Sequence, residues 1–262
     1  MASNSAYGPQ VIVDDSLILW YDMNSPKCWT GGTTLTNLGD RVNFPSISPY
    51  ASAATNMAYI DFINNDALPG RKYIKITGAS GNDNTIGNFM TGAGDMNPTC
   101  NGDHTVMGWL LSDSYPAYAG STLLAYRRTS QELRVAVASD AIRFRQRHYG
   151  SPYTTYTIGE SVTNATNSWD HYAMSKVGGY GNAEAFYDFY KNGEHLGTET
   201  FTMSQTSVWG TSNYDMGADW SDDDYVSNNM AGYLGPMMCY QRGLSHAEIK
   251  QNYNALRSRF GL

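Results

Sequence analysis

Four aspartates close together in the sequence form its densest group of side chains able to bind a metal: Asp219, Asp222, Asp223 and Asp224. Calcium takes about six to eight oxygen ligands, and a loop rich in aspartate can supply several of them. The spacing matches no EF-hand loop, and the ligands that other loops would have to add cannot be identified from the sequence. Calcium is therefore a candidate cofactor for this segment, whereas the charge pattern favours a solvated acidic loop.

Arginines dominate a stretch in the middle of the chain. Alternation along a strand places Arg143, Arg145 and Arg147 on one face, and Arg134 can join them across a hairpin. Like charges side by side destabilise a sheet unless other groups compensate them. Acidic residues of the same chain can do so, but we favour a neighbouring subunit because arginine is enriched at interfaces and binds carboxylates bidentately. These four arginines are the predicted interface residues.

Aromatic side chains in loops form a third group with chemical potential. Trp209, Trp220 and Tyr225 lie in or near predicted loops, where binding residues concentrate, and their rings can stack on sugars. These three are the candidate glycan-binding residues, with local packing as the alternative for each. Three other tryptophans lie within strand-like patterns and are expected in the core: Trp20, Trp109 and Trp169.

Catalytic motifs are missing from the sequence. A retaining glycosidase needs two carboxylates about 5 Å apart, which a run such as E-x-D-x-x-E on one strand would supply. No such run occurs, since Asp188 has Phe186 and Tyr190 as its neighbours on the same face of the strand. Neither a G-x-S-x-G elbow nor an H-E-x-x-H helix is present, and His171 lies within a core-like strand. The sequence therefore predicts a protein that is not an enzyme.

Composition narrows the choice of partners. The net charge of −7 argues against nucleic acid, because binding to a duplex depends on neutralising phosphates. No run of eighteen apolar residues occurs, so no membrane-spanning helix is expected. Residues 1–10 lack the features of a secretion signal, so we expect a protein that is not secreted. Three cysteines, Cys28, Cys100 and Cys239, fit neither a disulfide framework nor a zinc site and are expected to be buried thiols.

The elements that would position these groups are short strands. Thirteen candidates run from Leu17–Tyr21 to Ala231–Gln241, separated by turns such as Ser139-Asp140 and Asn192-Gly193, the latter suited to type I′. Frequent strands without alternating helices predict an all-β, antiparallel, two-sheet jelly-roll sandwich. The Gly- and Asn-rich region 78–103 is expected to be a loop. We interpret residues 1–262 as one domain with an N-terminal arm at 1–15.

The C-terminal segment is the exception to this all-β pattern. Ser245-His246-Ala247-Glu248 has the sequence of a capping box, and an apolar stripe follows at helical spacing. The stripe consists of Ile249, Tyr253, Leu256 and Phe260. One α-helix over residues 245–260 is therefore expected to lie on the sandwich surface.

Several of these motifs occur together in a known family. Ser16–Asp22 resembles the opening strand of laminin-G-like, concanavalin A-like lectin domains, and His104–Leu110 resembles their core strand with its central Trp. Trp169–Ala173 is similar to the W-x-H box of the family, and Phe189–Gly193 is similar to its Y-x-N-G hairpin. The motifs lie in family order over nearly the whole chain, which implies a concanavalin A-like sandwich. Related domains often hold calcium at a loop rim.

The final segment, 230–262, resembles the last strand and helix of such domains in virion proteins of tailed bacteriophages, notably those of marine cyanobacteria. This resemblance implies a structural component of the virion, displayed on the capsid or tail and held by other virion proteins. A receptor-binding adhesin for host-surface glycan is the alternative, and a glycan-degrading enzyme is a third hypothesis. Since the fold serves all three roles, it does not decide among them.

Overall fold

A computed structural model describes residues 10–40, 46–49, 60–64, 72–76, 90–94, 102–114, 121–128, 131–148, 154–179, 184–202, 212–217, 219–220, 226–227 and 231–262. In chain order the strands are β1 (Leu17–Tyr21), β2 (Leu35–Thr36), β3 (Ser46–Pro49), β4 (Ile60–Asn64), β5 (Lys72–Ile76), β6 (Met90–Gly94), β7 (His104–Ser114), β8 (Ser121–Arg128), β9 (Gln131–Val137), β10 (Ala141–His148), β11 (Thr154–Ser161), β12 (Trp169–Gly178), β13 (Glu184–Lys191), β14 (Glu194–Thr202), β15 (Ser212–Met216), β16 (Asp219–Trp220), β17 (Val226–Ser227) and β18 (Ala231–Tyr240). Helix α1 (His246–Leu256) follows and continues into a 3-10 turn, Arg257–Phe260. Neither helical segment is long and apolar enough to cross a membrane.

The strands form two antiparallel sheets, which confirms the predicted sandwich with a C-terminal helix. The first sheet has the order β14-β13-β12-β7-β18-β5-β4, and β1 also pairs with β18. The second sheet has the order β11-β10-β9-β8-β15-β6-β3-β2, and β16 and β17 form a separate two-stranded ribbon. Strands β1 and β5 pair with successive stretches of β18, 237–240 and 232–234 respectively.

Two apolar clusters stabilise this arrangement. Alternation turns Val135 and Val137 of β9 and Phe144 of β10 into the core between the sheets. A second cluster lies on the outer face of the first sheet, where Ile249 and Leu256 of α1 are at most 1% exposed. Burial of each of these two side chains contributes about 1.5–3 kcal/mol, so the helix is part of the fold and covers one face of the first sheet.

The hairpin after β13 explains why two sequence motifs occur together. Both Asn192 and Gly193 have positive φ, 52° and 76°, as the predicted type I′ turn requires. The Asn192 side chain accepts a hydrogen bond from the His171 backbone N–H at 2.8 Å and donates to Asp170 at 2.7 Å. Asn192 of the Y-x-N-G hairpin thus binds a backbone N–H and a carboxylate of the W-x-H box.

The segment before β1 is fastened to the terminal helix. The predicted capping box is present, with Ser245 and Glu248 hydrogen-bonded in both directions. Arg242 binds Glu248 through two nitrogens, at 2.7 and 3.0 Å, and also reaches Asp14 at 2.8 Å. Farther along the helix, Asn252 accepts a hydrogen bond from the backbone N–H of Ile12 at 2.8 Å.

One buried asparagine connects the two sheets. Asn164 is 7% exposed, and its side-chain nitrogen donates to the backbone oxygen of Ala138, after β9, at 2.6 Å. Its oxygen accepts hydrogen bonds from Tyr172 of β12 at 2.8 Å and from Lys191 of β13 at 3.1 Å. All the hydrogen-bonding groups of this amide are therefore directed into the sandwich.

Two sequence expectations were wrong in part. Region 78–103, expected to be a loop, contains strand β6, which pairs with β15 and β3. Its sequence, MTGAG, lacks an apolar alternation because the ring of Tyr214 occupies the space beside Gly92. A Cβ on Gly92 would lie 2.5 Å from that ring. The terminal α-helix also ends earlier than expected, at Leu256, and the 3-10 turn completes it.

Trp109, two cysteines and His171 are buried as expected, whereas Trp20 and Trp169, which were also expected in the core, are only partly buried. Cys28 and Cys239 are buried and form no disulfide among the described residues, whereas Cys100 lies outside them. His171 is fully buried between the rings of Trp109 and Tyr253, at 5.3 and 5.8 Å, as expected for a packing residue. Burial lowers the pKa of His171 to about 3, so this histidine is neutral in the folded protein near neutral pH.

Candidate functional site

The predicted arginines lie together on the second sheet. Arg134 of β9 and Arg145 of β10 are directly opposite each other, and Arg143 follows on the same face, turned away from the core. The register extends this row to Arg147, whose side chain is outside the description. Arg134 is only 4% exposed, and Arg143 pairs with Asp140 at 3.1 Å. Arg134, Arg143 and Arg145 all have interactions within the chain, so part of the compensation is internal, and the interface role stays a prediction.

The predicted acidic and aromatic loop lies mostly outside the described residues. Asp219 and Trp220 form β16, and their backbones pair with β17. The side chains of these two residues are not described, and the other candidates also fall outside: Trp209, Asp222, Asp223, Asp224 and Tyr225. Within the described part of the chain, no group of three His, Cys, Asp or Glu side chains is arranged to bind a metal. The calcium loop and the loop glycan site therefore stay predictions.

An aromatic surface that the sequence did not reveal lies on the outer face of the first sheet. Tyr73 of β5, Trp169 of β12 and Tyr233 of β18 are each half-buried, and we call these three residues the aromatic platform. The ring centroid of Tyr73 lies 5.5 Å from that of Trp169 and 5.3 Å from that of Tyr233. The rings of Trp169 and Tyr233 are 6.4 Å apart at 50°. The platform is thus a continuous but angled aromatic surface.

Strand register brings these residues together. Trp169 is opposite Leu111 on β7, Leu111 is opposite Tyr233, and Tyr233 is opposite Lys75 on β5. Tyr73 lies two residues before Lys75 and therefore shares its face of the sheet. The intervening Ile74 is turned into the core between the sheets.

The 3-10 turn after α1 packs against the platform. Phe260 lies 4.7 Å from the ring of Trp169 and stacks on Trp109 at 4.1 Å. Gly235 of β18 makes this approach possible, because a Cβ there would lie 2.8 Å from Trp109 and 3.1 Å from Phe260. Arg259, the preceding residue, donates a 2.6 Å hydrogen bond to the buried carboxylate of Asp22. The rings therefore rest on a packed base.

Polar contacts of the next residue also fix the start of β12, where Trp169 is the first residue. Asp170, next to Trp169, is 8% exposed. Its carboxylate pairs with Lys191 at 3.1 Å and accepts the hydrogen bond from Asn192. These contacts fix the backbone that carries Trp169 without using the indole.

The side chain of Lys75 lies beside the platform. The Lys75 ammonium lies 5.9 Å from the centroid of the Tyr233 ring, within the range of a cation–π contact. Among the residues that the structure describes, Lys75 forms no ion pair. The surface thus combines aromatic faces with one positive charge, and Asp61, opposite Lys75 on β4, has a side chain outside the described residues.

The local sequence indicates only part of this surface. Trp169 was expected in the core, but it is half-buried at the margin of the outer cluster. The alternation of Tyr73 and Lys75 with the buried Ile74 and Ile76 indicates that an aromatic residue and a lysine share the outer face of one strand. Grouping these residues with Tyr233 requires the sheet order, which the sequence alone does not contain.

The model of the concanavalin A-like lectin/glucanases superfamily, in its Laminin_G_3 family, matches residues 75–250. The chain belongs to this superfamily. The match covers about two thirds of the chain, and it contains Trp169, Tyr233 and Lys75, while Tyr73 lies just before it. No curated protein sequence matches the chain.

Solved structures with this fold include toxin binding domains and a domain of a glycosidase. The binding domain of paraclostridial mosquitocidal protein 1 matches with a TM-score of 0.62 and 13% identity, over 92% of this chain and 52% of that one. Botulinum neurotoxin type C, whose cell entry depends on two ganglioside molecules, matches with a TM-score of 0.59 and 11% identity, over 92% and 51%. The chain therefore spans about half the length of these two toxin chains.

One solved structure corresponds to this chain over nearly its full length. It is domain 4 of AbnA, an extracellular arabinanase of Geobacillus stearothermophilus, in complex with arabinotriose. The TM-score is 0.59 at 12% identity, and the match covers 91% of this chain and 98% of that one. At this identity the likeness establishes the fold.

Proposed function

We propose that this chain is a non-catalytic carbohydrate-binding module and that the aromatic platform is its binding surface. The observation that carries the proposal is the group of Tyr73, Trp169 and Tyr233, whose rings contact one another and stay partly exposed on the outer face of the first sheet. Binding sites for small ligands combine aromatic walls with a few polar groups. Trp and Tyr supply large contact areas at a small cost in side-chain entropy.

The fold neighbours give this proposal its context. A domain of the same fold and nearly the same length was solved in complex with arabinotriose, and the toxin domains are described as binding domains. For this chain we propose carbohydrate as the ligand because flat aromatic surfaces pack against the apolar faces of sugar rings. The rigid base beneath Trp169 favours binding, since little ordering is needed when the ligand arrives.

The test is a glycan array with and without calcium, followed by titration of the strongest ligand into Tyr233→Ala and Trp169→Ala variants. Removing an aromatic anchor at a binding site costs about 2 kcal/mol, so we expect affinity to fall about thirtyfold in each. Phe186→Ala is the matched control, because Phe186 is an aromatic residue 46% exposed on the same sheet face, near the other end of β12.

Thermal unfolding of all three variants shows whether the fold survives. Loss of binding in a folded Tyr233→Ala protein, with Phe186→Ala unchanged, supports the platform. Equal binding by all variants would move the site elsewhere on the domain, and a silent array under both conditions would contradict carbohydrate binding. Binding that requires calcium would direct attention to the loop containing Asp219 and Trp220.

A structural role in the particle of a tailed phage is the second proposal, with binding to other virion proteins. Its motive is the resemblance of segment 230–262, which in the structure forms β18, the capping box and α1. Quantitative mass spectrometry of purified particles tests it through the copy number of the chain relative to the major capsid protein. A number that fits the capsid lattice indicates decoration, a few to a few dozen copies indicate the tail, and absence from particles refutes the virion role.

A further inference from the structure

The geometry points to an acidic oligosaccharide as the ligand of the aromatic platform, with a sugar carboxylate bound by Lys75. This inference rests on the proposed function and adds the chemical class of the ligand. Its basis is the position of one lysine relative to the three rings. Hexuronates and sialic acids carry the required carboxylate, and the experiment distinguishes between them.

The lysine belongs to the same cross-strand row as two of the rings. Trp169, Leu111, Tyr233 and Lys75 follow one another across β12, β7, β18 and β5. Three strand spacings, about 14 Å, separate the backbones of the first and last residues, but the side chains converge. The ring centroids of Trp169 and Tyr233 are 6.4 Å apart, and the Lys75 ammonium lies 5.9 Å from the Tyr233 centroid. A ligand that covers all three groups extends over both of these steps, so the geometry favours an oligosaccharide.

The positive charge of Lys75, at the end of the row, favours sugars that carry a carboxylate. The Lys75 ammonium lies 5.9 Å from the centroid of the Tyr233 ring, so this contact holds it beside the platform before any ligand arrives. Asp61 of β4 lies opposite Lys75 in the strand register, with its side chain outside the described residues, and no ion pair of Lys75 occurs among the residues that the structure describes. A carboxylate on the ligand would give the ammonium a charged partner on the platform side. A charge-assisted hydrogen bond is stronger than a bond between neutral groups, so an acidic sugar gains more than a neutral sugar at this position.

The overall charge of the chain does not oppose this local preference. The net charge is −7, but exposed charges separated by more than about 8 Å are largely screened at physiological ionic strength. A carboxylate in contact with Lys75 therefore interacts mainly with that lysine. We expect the negative net charge to slow association at low salt rather than to prevent binding.

The experiment compares two pairs of matched probes by calorimetric titration. The first pair is trigalacturonate and its methyl ester, and the second is sialyllactose and lactose. We expect one acidic probe to bind about tenfold more tightly than its neutral counterpart, and Lys75→Met to remove this difference. Lys250→Met is the control, since it removes the same charge from α1, where Lys250 pairs with Glu194 at 2.7 Å.

The outcomes separate this inference from the proposed function. If neutral and acidic probes bind equally and Tyr233→Ala weakens both, the acidic preference is refuted and the carbohydrate module stands. If Lys75→Met and Lys250→Met reduce acidic binding equally, the effect is one of net charge and the inference is again refuted. If no array glycan or probe binds, both proposals fail. Loss of the acidic preference in Lys75→Met alone, with an unchanged melting temperature, supports the inference.

Discussion

Arg259 Nη1 lies 2.6 Å from Asp22 Oδ2 and thereby joins the last turn of the described chain to the end of the first strand. The Asp22 side chain is 2% exposed, while that of Arg259 is 33% exposed. The next residue, Phe260, lies between Trp109 and Trp169. This ion pair therefore holds the packed base of the aromatic platform in place.

Replacing Arg259 by Met is expected to lower the free energy of unfolding by about 1–2 kcal/mol. The buried carboxylate of Asp22 would lose its charged partner, although the partial exposure of Arg259 reduces the cost. Urea unfolding measures the change, and Arg257→Met is the control because Arg257 is exposed and lies over Tyr253 at 5.9 Å. Equal stability of the two variants would show that the ion pair does not hold the turn.

Substitutions at Asn192 should separate backbone conformation from side-chain bonding. Asn192→Gly retains the positive φ but loses the hydrogen bonds to His171 and Asp170, so we expect a loss of about 1–2 kcal/mol. Asn192→Ala loses the same bonds and also strains the turn, which adds about 1 kcal/mol. Denaturant unfolding of the pair gives the order of stability, and an alanine variant as stable as the glycine variant would contradict it.

Acid should weaken the contact between Arg242 and Glu248. Hydrogen bonds from Arg242 lower the pKa of Glu248 to about 2, below its ordinary value of 4.5. Because the folded protein holds this carboxylate ionised, its contribution is complete above about pH 4.5 and is lost as the pH falls towards 2. In Glu248→Gln, stability should therefore depend less on pH in this window, as chemical unfolding at several pH values would measure. An unchanged slope would exclude Glu248 as the group responsible.

His171 should make the protein sensitive to acid over a different range. Its folded pKa of about 3 is lower than the ordinary 6.5, so between these values the unfolded chain binds a proton that the folded chain excludes. Stability contributed by the neutral ring is therefore complete above about pH 6.5 and falls as the pH decreases towards 3. His171→Phe retains an aromatic ring beside Trp109. The free energy of unfolding of this variant, measured relative to that of the wild-type protein, should be about 1–2 kcal/mol higher at pH 5 than at pH 8. A pH-independent difference in melting temperature would contradict this.

The sequence was sufficient for the architecture because strands, turns and caps depend on neighbouring residues. Asn192-Gly193 and the capping box at Ser245 each form within a few residues, and both are confirmed. Strand β6 was missed because Gly92 replaces an apolar residue to admit a ring from β15. That packing partner is more than one hundred residues away in sequence.

The candidate site depends on the same kind of long-range information. Tyr73, Trp169 and Tyr233 come from strands that are adjacent or nearly adjacent only in the folded sheet. Local patterns therefore selected loop aromatics such as Trp209, where exposure is the default expectation. The strand-like pattern around Trp169 predicts a core residue, because local alternation does not show which part of a sheet face is covered.

The amide that links the two sheets, Asn164, is also the acceptor of a glycosylation sequon, Asn164-Ala165-Thr166. Its side-chain nitrogen already donates to Ala138 from a site that is 7% exposed, so a folded copy has no room for an attached glycan. In a eukaryotic secretory host, modification would compete with folding, and copies modified first could not close this contact. Unmodified and modified chains would then separate into folded and misfolded pools, which makes a bacterial host the better source of homogeneous protein.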